Sequence, residues 1–95
     1  MSTIVVNISF ATKRGEPYDV FVGRPSRWGN RWKIGRDGSR DEVIEKYRQW
    51  ITSSDPVAVR LRELLPTLRG KRLGCYCAPL PCHGAVLAEL AEAAP

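Results

Sequence analysis

The sequence lacks several features that define other classes of protein. Its 95 residues contain no apolar run near the roughly 18–20 residues that a membrane-spanning helix needs. The N-terminus has neither the basic nor the long apolar segment of a secretory signal peptide. No internal repeat, low-complexity segment, phosphate-binding G-x4-G-K-S/T loop or G-x-G-x-x-G turn occurs. We therefore expect a cytoplasmic protein without a membrane partner, folded as a single domain over residues 1–95 with a small core.

The order of apolar and turn-forming segments predicts an α/β fold. Apolar and β-branched residues favour strands over 3–9 and 18–22, and a third strand over 71–77. A glycine-rich stretch from 23 to 39 should be mostly loop, with room for a short strand around 31–34. Three helices complete the order β-β-loop-α-α-β-α. We expect a single small domain with a mixed sheet of three to four strands and about three helices.

Three local signals mark where the helices begin. Ser39 and Glu42 form a capping box, Asp55-Pro56 supplies a cap and a proline at the first position of the second helix, and the last helix begins at Pro81 or Cys82. Apolar positions in these strands and helices define the predicted core. They are Val5, Ile8, Val20, Val22, Ile44, Leu61, Leu65, Leu73 and Leu87, with Val57 and Leu64 also facing inward.

The positive charge is concentrated in one part of the chain. The net charge is +5, and residues 13–40 hold eight basic against three acidic residues, so this stretch accounts for all of it. Arginine outnumbers lysine eleven to four, and its planar guanidinium pairs well with phosphate. An anionic partner is predicted: a nucleotide, a nucleic acid or another phosphate ester. The alternative is a solvated basic surface with no ligand.

A cluster of cysteines with the only histidine favours metal or thiol chemistry. Cys75, Cys77, Cys82 and His83 lie within nine residues. Three cysteines and one histidine are a common zinc ligand set, although the single residue between the first two is shorter than usual. Side chains of neighbours at a helix start diverge by about 100°, so we expect at most three of the four to bind one ion. The ion would be zinc or, less readily, iron, and a cluster without metal is an equal alternative.

A second interpretation of the same cluster is nucleophilic. Cys82 lies at or just before a helix N-terminus, where free N–H groups would stabilise a thiolate and could also hold an anion. Gly84 is a candidate phosphate-binding residue of this helix start. Cys82 and His83 are therefore the candidate catalytic residues. The sequence contains no Cys-x-x-Cys pair of the kind found in dithiol enzymes. A third interpretation is a non-catalytic scaffold or interaction protein in which the cysteines are buried and reduced.

The loop after the second predicted strand alternates arginines and tryptophans among glycines. Trp28 or Trp32 could stack on a base. The alternative is that the tryptophans cover the core. The candidate ligand-binding residues of this loop are Arg24, Arg27 and Arg31 for phosphate, and Ser26 and Asn30 for sugar or base edges.

These two features would meet in one place under one condition. Ligands of open α/β sheets bind beyond the carboxyl ends of parallel strands. The second predicted strand ends at Val22 before the arginine and tryptophan loop, and the third ends at Cys77 before the cysteine and histidine helix start. If the two strands are parallel neighbours, both features line one cleft.

Four motifs carry a resemblance to a known family. They are Gly23-Arg24-Pro25-Ser26-x-Trp28-Gly29-Asn30, Ile34-Gly35, Leu68-x-Gly70-Lys71-x-Leu73-x-Cys75-Tyr76-Cys77-x-Pro79 and Cys82-His83-Gly84. Over roughly residues 18–90 the chain resembles a short domain of unknown function from bacteria and their phages. Two positions depart from that pattern: Arg31-Trp32 stands where the family usually has Pro-Phe, and Ala85 stands where it usually has an acidic residue. The resemblance implies a shared site at these motifs and supplies no substrate.

Overall fold

A computed structural model of the protein describes residues 2–8, 18–76 and 80–94. The described elements follow the predicted order and confirm a small α/β fold with three helices and a three-stranded sheet. They are β1 (Ile4–Asn7), β2 (Val20–Phe21), α1 (Arg40–Ile51), α2 (Pro56–Leu64), a 3-10 turn (Leu65–Leu68), β3 (Arg72–Cys75) and α3 (His83–Ala93). None of these helices is long and apolar enough to cross a membrane.

The sheet has the order β1-β3-β2, with the last strand in the centre. Leu73 lies in register with Val5 on one side and with Val20 on the other, and both pairings are parallel. The described strands therefore form a parallel sheet and not the mixed one expected. The helices α1 and α2 carry the chain back across the sheet between β2 and β3, and such a crossover produces parallel neighbours. The stretch around 31–34 forms bends and turns and no strand.

The helix starts confirm the predicted caps. The Ser39 hydroxyl accepts a hydrogen bond from the Glu42 amide, and the Glu42 carboxylate accepts one from the Ser39 amide. Asp55 caps α2 by accepting from the Val57 amide at 2.8 Å. Both caps satisfy amide groups that have no partner within their own helix. The helix α3 begins one residue after Cys82, which is its N-cap.

The core lies between the sheet and the helices. Of the nine predicted core residues, five are buried, Val5, Val20 and Ile44 pack against them partly buried, and Ile8 is half-buried. Tyr47 is the largest side chain with no exposed surface, and its hydroxyl donates to the Trp28 carbonyl at 2.8 Å. The inward placement of Val57 was wrong: it is 53% exposed, because α2 turns Ala58 and Leu61 to the core instead.

Candidate functional site

The carboxyl ends of β2 and β3 meet at one edge of the sheet, because the two strands are parallel neighbours. The arginine and tryptophan loop after β2 and the start of α3 after β3 therefore lie at the same edge of the sheet. A cavity of about 360 Å³ lies at this edge. Its wall combines residues of the loop after β2, of the first turns of α1, and of the segment that joins β3 to α3. The sulfur and imidazole groups of Cys75, Cys82 and His83 thus share a cavity with basic residues of the loop.

Among the residues that the structure describes, the charged side chains that line the cavity are all basic. They are Arg24, Lys33 and Arg40. The Arg24 guanidinium donates to the Asn30 carbonyl at 3.1 Å, and that of Arg40 donates to the Pro81 carbonyl at 3.0 Å. Each guanidinium has five N–H donors, so both can still bind a ligand. Within the described ranges, none of the three forms an ion pair with a carboxylate. The cavity is therefore a region of positive potential.

Apolar and aromatic side chains form the rest of the wall. Trp32 is half-buried there, and its ring packs edge-on against Trp50 with centroids 6.4 Å apart. Ile34 and Tyr76 stand at the rim and are 52% and 63% exposed. The Tyr76 ring is supported by an edge contact with Phe21. A ligand with a flat or apolar body would find contacts beside the basic groups.

Three loop residues predicted to bind ligand instead build the loop. Trp28 is 5% exposed and belongs to the core, as the alternative interpretation of the tryptophans expected. The Ser26 hydroxyl accepts from the Trp28 amide at 3.3 Å. Asn30 lines the cavity, but its amide nitrogen donates to the Val43 carbonyl and its amide oxygen accepts from the Trp32 amide. The Ser26 bond and one Asn30 bond lie within the loop, and the other Asn30 bond holds the loop against α1.

Two of the predicted phosphate-binding arginines lie away from the cavity. Arg27 borders a separate shallow groove beside α2, next to Pro56 and Arg60. The Arg31 guanidinium stacks on the Trp50 ring, 4.4 Å from its centroid. Of the three arginines proposed from the loop, the structure brings only Arg24 to the cavity.

The sulfur atoms of Cys75 and Cys82 lie 3.4 Å apart, and both side chains are buried. Cys82 also accepts a hydrogen bond from the Gly84 amide at 3.3 Å, so this amide is directed at the sulfur. Gly84 is packed tightly: an added Cβ would lie 3.2 Å from both the Cys82 sulfur and a methyl of Val5. Its structural role is to let α3 approach β1.

The predicted metal site is described only in part. Cys77 lies outside the described residues. The described ranges contain no group of three or more candidate ligands arranged to hold an ion. The set of Cys75, Cys77, Cys82 and His83 therefore stays a prediction.

His83 is held in one orientation at the back of the cavity. Its Nε2 lies 2.6 Å from the Val22 carbonyl, and its ring packs against Tyr47 with centroids 5.1 Å apart. A carbonyl oxygen can only accept, so Nε2 carries the proton. Burial lowers the pKa of His83 below 6.5, and Arg24 adds to the effect. The ring is therefore neutral near pH 7 and Nδ1 keeps its lone pair, so any metal coordination would use Nδ1.

Sequence reasoning missed several residues of the cavity wall. Lys33 and Arg40 belong to the basic stretch, but the sequence alone did not place them in the site, and it assigned no ligand role to Val43, Ile44 and Tyr76. Arg40 carried one usable signal, because a basic residue in the first turn of a helix does not stabilise that helix and so can serve another purpose.

Comparison with known proteins yields relatives without an assigned activity. A family model described as a domain of unknown function, DUF4326, matches residues 6–93. The chain is 38% identical over 74 residues to an uncharacterized 12.4 kDa protein in the nrdA-td intergenic region of Enterobacteria phage T4, covering 77% of this chain and 67% of that protein. It is 34% identical over 90 residues to the uncharacterized protein R718 of Acanthamoeba polyphaga mimivirus, and the match covers 76% of this chain and 65% of that protein. The chain thus spans about two thirds of the length of these relatives. No solved structure matches it significantly.

Proposed function

Because the chain belongs to the DUF4326 family, whose description assigns no activity, we propose its function from the cavity. The protein binds one nucleotide, or a phosphate ester of similar size, at the carboxyl edge of the sheet. The observation that carries the proposal is the wall itself, whose described residues include three basic side chains and no acidic one. A cavity of about 360 Å³ is at the small end of the range that holds organic ligands in proteins.

The two kinds of wall suggest how such a ligand would lie. Its phosphate would pair with Arg24 and Arg40, whose guanidinium groups bind phosphate oxygens in pairs. Lys33 would add a third positive charge. The base or other flat body would contact Trp32 and Tyr76.

The experiment that tests this function is a binding titration at low and at high salt. The ligands are the four nucleoside 5′-monophosphates and a single strand of about 12 nucleotides, a length within the site size of single-strand binding folds. Arg24→Ala and Arg40→Ala should each weaken the best ligand by about tenfold or more, which is the loss of one charge-assisted pair. Arg27→Ala is the matched control, because it removes the same charge outside the cavity.

Two outcomes would refute the proposal. One is that no nucleotide binds at all. The other is that Arg27→Ala weakens binding as much as Arg24→Ala, which would indicate attraction by net charge alone. Tighter binding of the single strand, with a steep loss in salt, would assign the cavity to the end of a nucleic acid.

A second candidate function is catalytic, and one observation favours it. The Cys82 sulfur accepts an N–H bond at the start of α3 and lines the same cavity as the basic residues. That N–H bond would stabilise a thiolate of Cys82. The thiolate would form a bond from sulfur to an electrophilic atom of a nucleotide-like substrate, and the group bonded to that atom would leave with the electron pair of the broken bond. If the cysteines and His83 instead hold zinc or iron, a metal-bound water would be the attacking group. Metal content and the alkylation rate of Cys82 against Cys75, measured on one sample, separate these two versions.

A further inference from the structure

We infer that Nδ1 of His83 accepts a hydrogen bond from the ligand of the cavity. The cavity would then favour phosphate esters that carry a hydroxyl or N–H donor, such as sugar phosphates, over anions without one. This inference rests on the proposed binding function and names a property of the ligand that the basic residues alone do not determine.

Two contacts hold the His83 ring in one orientation. Nε2 of His83 lies 2.6 Å from the carbonyl oxygen of Val22, and Val22 directly follows β2. Val22 has no exposed surface, so this carbonyl belongs to the rigid part of the sheet edge. The edge contact with Tyr47, also without exposed surface, fixes the plane of the ring. A flip of the ring would break the only hydrogen bond that it makes to a described residue.

The other ring nitrogen, Nδ1, remains for a ligand. Nδ1 makes no hydrogen bond to any residue in the described ranges, although the side chain is only 9% exposed. The ring lines the cavity. Among the described residues, the one fully buried side-chain N or O atom without a partner is Nε1 of Trp50. Nδ1 of His83 therefore keeps contact with solvent and is open to a donor brought by a ligand. The neutral ring, with its proton on Nε2, can only accept at Nδ1.

The cavity also holds a basic residue near His83. Arg24 lines the same cavity and is near enough for its charge to disfavour the protonated form of His83. Arg24 would pair with the anionic group of a ligand, and the neutral imidazole would accept a hydrogen bond from an uncharged donor of the same ligand. A sugar phosphate presents a phosphate and hydroxyl donors within one small molecule. Sulfate presents the anion without a donor.

The test uses the fact that the chain contains a single histidine. Protein labelled with ¹⁵N-histidine gives one pair of ring nitrogen resonances, which report directly which nitrogen is protonated. In the free, chelator-treated protein we expect a protonated Nε2 and an unprotonated Nδ1. Adenosine 5′-monophosphate should shift the Nδ1 resonance, and sulfate should bind without shifting it.

Two variants separate the ligand contact from the structural one. In His83→Gln, the new side-chain amide can still donate to the Val22 carbonyl from the ε position, but there is no acceptor at the δ position. This variant should keep the stability of the fold. Its affinity for adenosine 5′-monophosphate should fall by roughly threefold to tenfold, which corresponds to the loss of one hydrogen bond. Sulfate affinity should not change. His83→Asn keeps a polar atom at the δ position and loses the Val22 bond, so it should lower stability more than His83→Gln does.

The outcomes are distinguishable from failure of the proposed function. If adenosine 5′-monophosphate binds in an Arg24-dependent manner and the Nδ1 resonance does not move, this inference fails and the binding function stands. If Nδ1 is protonated in the free protein, or carries a metal in protein purified without chelator, the inference is overturned. If no nucleotide binds, the proposed binding function and the inference about Nδ1 are both refuted.

Discussion

Asn30 offers the sharpest test of how the loop is built. Its side chain makes two hydrogen bonds. Nδ2 donates to the Val43 carbonyl at 3.0 Å, which joins the loop to α1, and Oδ1 accepts from the Trp32 amide at 2.9 Å, which holds the loop to itself. The residue is 7% exposed, so water does not replace these bonds in Asn30→Ala. At about 0.5–1.5 kcal/mol for each bond, the free energy of unfolding should fall by roughly 1–3 kcal/mol.

The measurement is urea unfolding followed by circular dichroism, with the slope of the transition checked for constancy. Each kcal/mol should also lower the melting temperature by about 4–8 °C in a domain of this size. Gln49→Ala is the control, because that amide bonds to Glu45 on the exposed face of α1. A loss in Asn30→Ala no larger than about 0.5 kcal/mol, the usual limit for surface changes, would show that the two bonds do not hold the loop.

Two further changes test the residues behind the cavity. Tyr47→Phe leaves the Trp28 carbonyl without its donor inside the core, so the free energy of unfolding should fall by about 1–2 kcal/mol in the same assay; an unchanged urea midpoint would contradict the role given to this hydroxyl. The lowered pKa of buried His83 means that the unfolded chain binds more protons once the pH falls below about 6.5, so stability should decline from pH 7 towards pH 5. His83→Gln should flatten this decline in unfolding curves recorded across that range, and parallel curves for the two proteins would refute the assignment.

The parts of the fold that could be predicted from sequence are those with local causes. The capping box at Ser39 and the Asp55 cap involve residues two or three positions apart, so the sequence contains the whole interaction. The place of the cavity was predictable for a related reason. The carboxyl edge of parallel strands is where loops and helix starts gather in any open α/β sheet, and only the strand pairing had to be supplied.

The roles of individual loop residues could not be predicted, because they depend on distant contacts. Trp28 and Trp32 have similar sequence surroundings, yet one reaches Tyr47 in the core and the other lines the cavity. Arg24 and Arg27 are separated by one turn and lie at two different surfaces. Which nitrogen of His83 is left for a ligand is determined by the Val22 carbonyl, at the end of another strand.

The central position of β3 has a consequence for how the protein is made. The strands β1 and β2 do not pair with each other, and both depend on a partner near the far end of the chain. During translation, β1 and β2 are synthesised first and remain unpaired while α1 and α2 are synthesised. The sheet and the cavity that opens from its edge form together, only after residues 72–75 are released, and pairing over such long separations is slow. A chain arrested before that point would hold β1 and β2 without the strand that pairs with both of them.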